Sequence, residues 1–141
     1  MNVRVALLAA ITAACAACGS GTTAPSGSLN LAGTWTGKFE YQTAGVNVND
    51  DVTLVIIQSG TTANGNWSAA AQATGTVSFP AAATVAGSFT ISQPNIGGVS
   101  CSGSSTVSGT ATAADLVLTV SNVTPTAACP WATGMKFTLH K

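Results

Sequence analysis

Hydrophobic and polar residues alternate with a period of two along most of the chain after Leu29, which indicates strands with one buried face. The first such segment, residues 32–42, has its charged residues on one face and its aromatic residues on the other. Further strands are predicted in seven segments that alternate or are continuously apolar: 51–59, the stretch around Trp67, 74–79, 85–91, 106–112, 115–122 and 134–140.

About eight short strands, with turn residues roughly every 8–12 positions, predict an all-β fold, which is either a barrel or a sandwich. A single up-and-down antiparallel barrel is favoured, because closure removes the exposed strand edges that invite aggregation. The barrel domain is predicted to occupy residues 30–141. Two segments without this alternation, residues 1–17 and 18–29, precede it.

The start of the predicted barrel carries a short motif, Gly-Thr-Trp at residues 33–35. It resembles the Gly-x-Trp on the first strand of the calycins, the group of up-and-down barrels that includes lipocalins and avidins. Gly-Thr-Trp-x-Gly is also similar to the start of small bacterial lipocalin-like lipoproteins of uncharacterised function. The resemblance implies that Trp35 plugs one end of the barrel and that a basic residue near the last strand packs over it. Calycins usually have Arg at that place, whereas the candidates here are Lys136, His140 and Lys141.

The N-terminus has the parts of an export signal, namely a positively charged start and an apolar run of about ten residues. That run is too short to span a bilayer, which needs about twenty residues. The following Ala16-Ala17-Cys18-Gly19 resembles the lipobox of bacterial lipoproteins, in which the Cys accepts the lipid. Cys15 departs from the pattern, because Leu is usual there. An ordinary cleaved signal and a buried apolar helix are the alternatives.

The other cysteines favour Cys18 over Cys15 as the lipid acceptor. If Cys18 is acylated, Cys15 leaves with a signal peptide of residues 1–17, and Cys101 and Cys129 remain to form a disulfide. If Cys15 is acylated, Cys18 is an orphan thiol in an oxidising compartment. Two free thiols or a metal pair are the alternatives to the Cys101–Cys129 disulfide, although no His or carboxylate lies nearby in sequence.

Residues 18–29 are rich in Gly and Ser and predict a flexible tether that reaches about 15–20 Å. Acyl chains on Cys18 would hold the protein on a membrane. Ser20 stands where some lipoproteins have the Asp that retains them in the inner membrane. The predicted location is therefore the bacterial cell envelope, lipid-anchored, with the outer membrane favoured.

Charge and motif content argue against several function classes. Only 6% of the residues are charged and the formal net charge is +0, so no nucleic-acid partner is expected. The titratable residues of the predicted mature chain form no catalytic motif. Asp50-Asp51 is interpreted as a polar turn rather than a Ca²⁺ site, and His140 as a surface residue. We therefore expect no enzymatic activity, no cofactor and no metal. An enzyme is the third hypothesis of function, after the two non-catalytic ones given below.

Aromatic residues of the predicted inner face are the candidate ligand-pocket residues: Trp35, Phe39, Tyr41, Trp67, Phe89 and Phe137. Plain core packing is one interpretation of them. The other is an apolar pocket at the open end of the barrel, because small residues such as Gly87, Gly109 and Ala69 either interdigitate with large ones or leave a cavity.

Two hypotheses of function follow from these observations. The first is a membrane-anchored, non-catalytic binding module for a small apolar or amphipathic ligand. The second is a structural or protein-interaction envelope lipoprotein with a filled barrel, for example one that resembles the calycins that inhibit proteases with their N-terminal segment.

Overall fold

The fold is an eight-stranded antiparallel barrel. A computed structural model describes residues 27–43, 46–70, 72–96, 99–121, 123–124 and 134–141. The strands follow one another in chain order: β1 (Gly33–Thr43), β2 (Val46–Ser59), β3 (Thr62–Ala69), β4 (Thr74–Pro80), β5 (Thr84–Ile96), β6 (Val99–Ala111), β7 (Asp115–Val120) and β8 (Lys136–His140). Each strand pairs with the next and β8 pairs with β1, so the sheet closes. The predicted up-and-down barrel is confirmed, and the sandwich alternative is wrong.

β2 and β6 begin earlier in the chain than the alternation of hydrophobic and polar residues predicts. β2 starts at Val46, so the Asp50-Asp51 pair lies inside a strand and the predicted turn at that point is wrong. β6 starts at Val99, although the prediction began at residue 106. The first half of β6 is rich in Ser and Gly and has little hydrophobic alternation, but its pairing with β5 holds it in the sheet. For β6, pairing with its neighbour rather than a hydrophobic pattern therefore determines where the strand starts.

Burial follows the two-residue period of the sequence. Inward positions alternate with exposed or half-buried ones along β3, β7 and β8. The buried apolar side chains form a single cluster, and no polar or charged residue of the described chain is fully buried. In those same ranges no helix is long and apolar enough to cross a membrane.

The two ends of the barrel differ, and we call them the base and the mouth. The base contains the chain before β1 and the β2–β3, β4–β5 and β6–β7 turns. Leu31 is fully buried there, and its backbone N–H donates to Gln58 Oε1 at 2.8 Å. Leu29 N–H donates to the carbonyl of Ala81 at 2.9 Å, so the chain before β1 is bonded across the base. The mouth lies at the opposite end, where β1 meets β2 and where β8 begins.

Several sequence predictions concern residues that the structure does not describe. These are Cys15 and Cys18 with the whole of residues 1–26, and Cys129. Cys101 is described and is buried in β6. The lipid attachment, most of the tether and the Cys101–Cys129 disulfide therefore stay predictions.

Glycines of the inner face allow neighbouring strands to approach closely. A Cβ on Gly87 would lie 2.0 Å from the carbonyl oxygen of Ser78 and 2.7 Å from the Cβ of Phe79. A Cβ on Gly109 would lie 1.9 Å from the carbonyl oxygen of Val117. At both positions the glycine therefore fits against its neighbours and leaves no cavity. Of the two outcomes that the sequence left open, interdigitation and a cavity, the structure shows interdigitation at these glycines.

We expect Gly87→Ala to destabilise the barrel by about 1–3 kcal/mol, because the added methyl group forces β4 and β5 apart. Gly27→Ala is the matched control, since a Cβ at that position would meet nothing within 4 Å. Urea denaturation of both variants measures the difference. Equal free energies of unfolding for the two variants would contradict the close approach of the strands.

Candidate functional site

Four of the six candidate pocket residues pack ring against ring inside the barrel. Phe39 stacks on Phe137 with centroids 4.8 Å apart, and Trp67 stacks on Phe89 at 5.4 Å. The edge contact of Trp67 with Phe137 at 5.4 Å joins the two pairs. These separations are typical of favourable aromatic pairs, and each residue is at most 2% exposed. The rings therefore fill the middle of the barrel, which favours core packing for these four residues.

The indole of Trp67 is held in place by its own neighbours. Its Nε1–H donates to the carbonyl oxygen of Thr90 at 3.1 Å. Gly75 lies opposite Trp67 in the β3–β4 register, and a Cβ there would be 2.6 Å from Nε1. Gly75 thus makes room for the ring. Sequence analysis missed this pairing, because the register between two strands is not visible in the alternation of either one.

Trp35, the fifth candidate, lies at the base. It is fully buried, and its Nε1–H donates to the carbonyl oxygen of Leu31 at 2.8 Å. Lys141 Nζ lies 5.5 Å from the centroid of its ring and donates to the carbonyl oxygen of Asn30 at 3.3 Å. This is the arrangement that the resemblance to calycins implies, with Lys141 as the basic residue. His140 instead bonds Asp115 at 2.7 Å on the exposed surface.

Lys141→Met should lower the free energy of unfolding by about 0.5–1 kcal/mol, because it removes an exposed cation–π contact. Lys136→Met is the control, since Lys136 has no cation–π contact or ion pair among the described residues. Chemical denaturation at moderate salt measures both effects. If both variants lose the same stability, the contact of Lys141 with Trp35 contributes nothing.

A pocket of about 500 Å³ lies at the mouth, between the β1–β2 pair and the start of β8. Its volume is in the range of small-molecule sites. Residues from both faces of the barrel wall line it: Glu40, Tyr41, Gln42, Asn47, Val48, Asn49, Gly134 and Lys136. Tyr41 is the only one of the six candidate residues in this lining, so the structure separates it from the buried core.

The polar wall of the mouth pocket is held by cross-strand hydrogen bonds. Gln42 Nε2 donates to Asn47 Oδ1 at 2.8 Å, and Asn49 Nδ2 donates to Glu40 Oε1 at 3.3 Å. Lys136 lies opposite Glu40 in the β1–β8 register, so both signs of charge border the pocket. Amide, carboxylate and ammonium groups together can bond a polar head group of a ligand.

Tyr41 connects the mouth pocket to the core. Its ring lies 5.1 Å from that of Phe39, and the residue is only partly buried. Burial raises the pKa of the Tyr41 phenol, and the nearby charge of Asp50 raises it further. The phenol is thus neutral at physiological pH, and its hydroxyl is able both to donate and to accept a hydrogen bond.

Asp50 and Asp51 point to opposite sides of the barrel wall. Asp51 faces outward, where it forms an exposed ion pair with Lys38 at 2.7 Å. Asp50 is opposite Phe39 in the β1–β2 register and in phase with the buried Val52. Its Oδ2 atom is buried without a hydrogen-bond partner among the described residues. Sequence analysis placed the pair in a turn and so missed the inward carboxylate, although its phase with Val52 was a usable signal.

No metal site is assigned among the described residues. The described ranges contain no group of three or more His, Cys, Asp or Glu residues that could hold a metal ion.

No protein-family model matches the sequence, and no match is found among curated proteins or solved structures. The closed eight-stranded barrel is consistent with a lipocalin-like fold, and this likeness is one of architecture.

Proposed function

We propose that this protein is a membrane-anchored, non-catalytic binding module that takes a small amphipathic ligand at the mouth of its barrel. The mouth pocket carries the proposal, because apolar Tyr41 and Val48 meet several polar side chains there. A lining that combines polar and apolar side chains suits an amphipathic ligand, whose two parts need both kinds of contact. The stacked aromatic core beneath it gives the pocket a rigid support.

The anchoring part of the proposal rests on the sequence of residues 1–29. Acylation of Cys18 and a Gly/Ser-rich tether would place the protein in the bacterial cell envelope, with the outer membrane as the proposed site. The described chain begins at the base, where Leu29 is bonded to Ala81. A tether that enters at the base leaves the mouth directed away from the anchoring membrane.

A protein-interaction role is the second candidate, and the outer face of β2 favours it. Ile57 is 70% exposed and Val55 is 45% exposed, on the outer side of the wall. Adjacent exposed apolar residues of this kind can mark contact surfaces between proteins. Capture of one envelope protein by the wild-type chain, but not by Ile57→Ser, would support this role over the first.

The anchoring proposal predicts the mass of the mature protein. The N-terminal residue should be Cys18 with its acyl chains, and the mass should be lower by two hydrogen atoms because Cys101 and Cys129 are joined. Cys18→Ser should abolish acylation, whereas Cys15→Ser should leave it intact. Intact-mass spectrometry before and after reduction measures both features. Acylation that persists in Cys18→Ser would contradict the assignment.

The binding proposal predicts which substitution weakens a ligand. Tyr41→Ala should lower the affinity for octyl glucoside, a neutral amphiphile, by about tenfold, or about 1.4 kcal/mol, because the pocket loses its aromatic wall. Phe89→Leu should lower stability and leave that affinity unchanged, since Phe89 belongs to the core. Calorimetric titration measures affinity, and native mass spectrometry detects any ligand that is purified with the protein. A loss of binding in Phe89→Leu alone would place the ligand in the interior instead.

A further inference from the structure

The carboxylate of Asp50 is a charged group on the mainly apolar inner face of β2. It faces the same side of β2 as Val52, Leu54 and Ile56, all of which are buried. A buried carboxylate oxygen without a partner costs free energy, because the folded chain does not replace the water it has lost. Asp50 does not itself line the mouth pocket, but it directly follows Asn49, which does. A residue that lowers stability next to a binding pocket is typical of a functional position.

No described cation neutralises Asp50. Lys38 is paired with Asp51 on the outer face, and Lys141 lies over Trp35 at the base. Lys136 lies at an outward, exposed position of β8 and forms no ion pair among the described residues. The carboxylate of Asp50 thus forms no ion pair with a described cation.

Two aromatic residues of β1 lie next to Asp50. Phe39 is the cross-strand partner of Asp50, and Tyr41 lies beside Phe39 with ring centroids 5.1 Å apart. The faces of aromatic rings attract cations, and organic ammonium groups are bound in this way. Phe39 is buried in the core, so Tyr41 is the ring that a ligand can reach. A carboxylate near this ring combines both interactions that favour an ammonium group over a neutral or anionic one.

We infer that the ligand of the mouth pocket is a cationic amphiphile, whose ammonium group lies at the Asp50 carboxylate with its apolar part against Tyr41 and Val48. This inference rests on the proposed function, because it names the ligand class of that same pocket. The positive charge of the ammonium group neutralises the Asp50 carboxylate, and the Tyr41 ring replaces part of the hydration shell of that group.

Three probes with the same chain and different head groups test the inference: octyltrimethylammonium, octyl glucoside and octyl sulfate. The mature protein is held in nanodiscs of zwitterionic lipid, and protein-free nanodiscs correct for partitioning. The cationic probe should bind at least about tenfold more tightly than the other two. Asp50→Asn should remove that preference and keep the binding of octyl glucoside. Asp51→Asn is the matched control and should keep the preference, because Asp51 faces outward.

The outcomes separate this inference from the proposed function. If none of the probes binds, the proposed function fails and the inference with it. If the probes bind alike, or if Asp50→Asn keeps the cationic preference, only the inference fails. The thermal unfolding midpoint of Asp50→Asn should equal or exceed that of the wild type. A clear decrease would show that Asp50 stabilises the free protein, which would overturn the inference.

Discussion

The structure depends on the contact between the aromatic rings of the inner face at the point where the barrel closes. Phe39 of β1 is paired with Phe137 of β8, and their rings stack at 4.8 Å. This pair joins the first and last strands of the chain, and Trp67 links it to Phe89 on the far wall. Burial of these rings provides the driving force for closure, because large aromatic side chains dominate the energetics of cores.

The alternation of the sequence predicted eight strands and most of their inward faces, but not the starts of β2 and β6. Closure into one barrel followed from the argument that it removes exposed strand edges. The place of Trp35 at one end followed from a three-residue resemblance, and Lys141 fulfils the role of the basic residue there. A pocket at the open end was one of two interpretations of the aromatic residues. Its polar lining was not predicted, because it depends on the register that brings Lys136 opposite Glu40. The inward position of Asp50 was missed because Asp50-Asp51 was interpreted as a turn, although Val48 and Val52 have the same phase as Asp50.

The base of the barrel contributes mainly to stability, whereas the mouth carries the proposed binding site. At the base, backbone hydrogen bonds, a buried Trp35 and the cation of Lys141 close the structure, and no buried side-chain nitrogen or oxygen of its described residues lacks a partner. At the mouth, the same fold leaves a carboxylate oxygen unpaired and a phenol only partly buried. The unpaired carboxylate oxygen, which costs stability, therefore lies at the end that carries the proposed site.

The central claim is that the barrel is filled by its own aromatic side chains and offers a ligand only its mouth. Intermolecular nuclear Overhauser effects between octyltrimethylammonium and the protein locate a bound probe directly. The account predicts contacts from the probe to the Tyr41 ring and the Val48 methyl groups. Contacts to Val85 or Leu116, which are buried on the inner face towards the base, would show that the ligand enters the interior and would contradict the account.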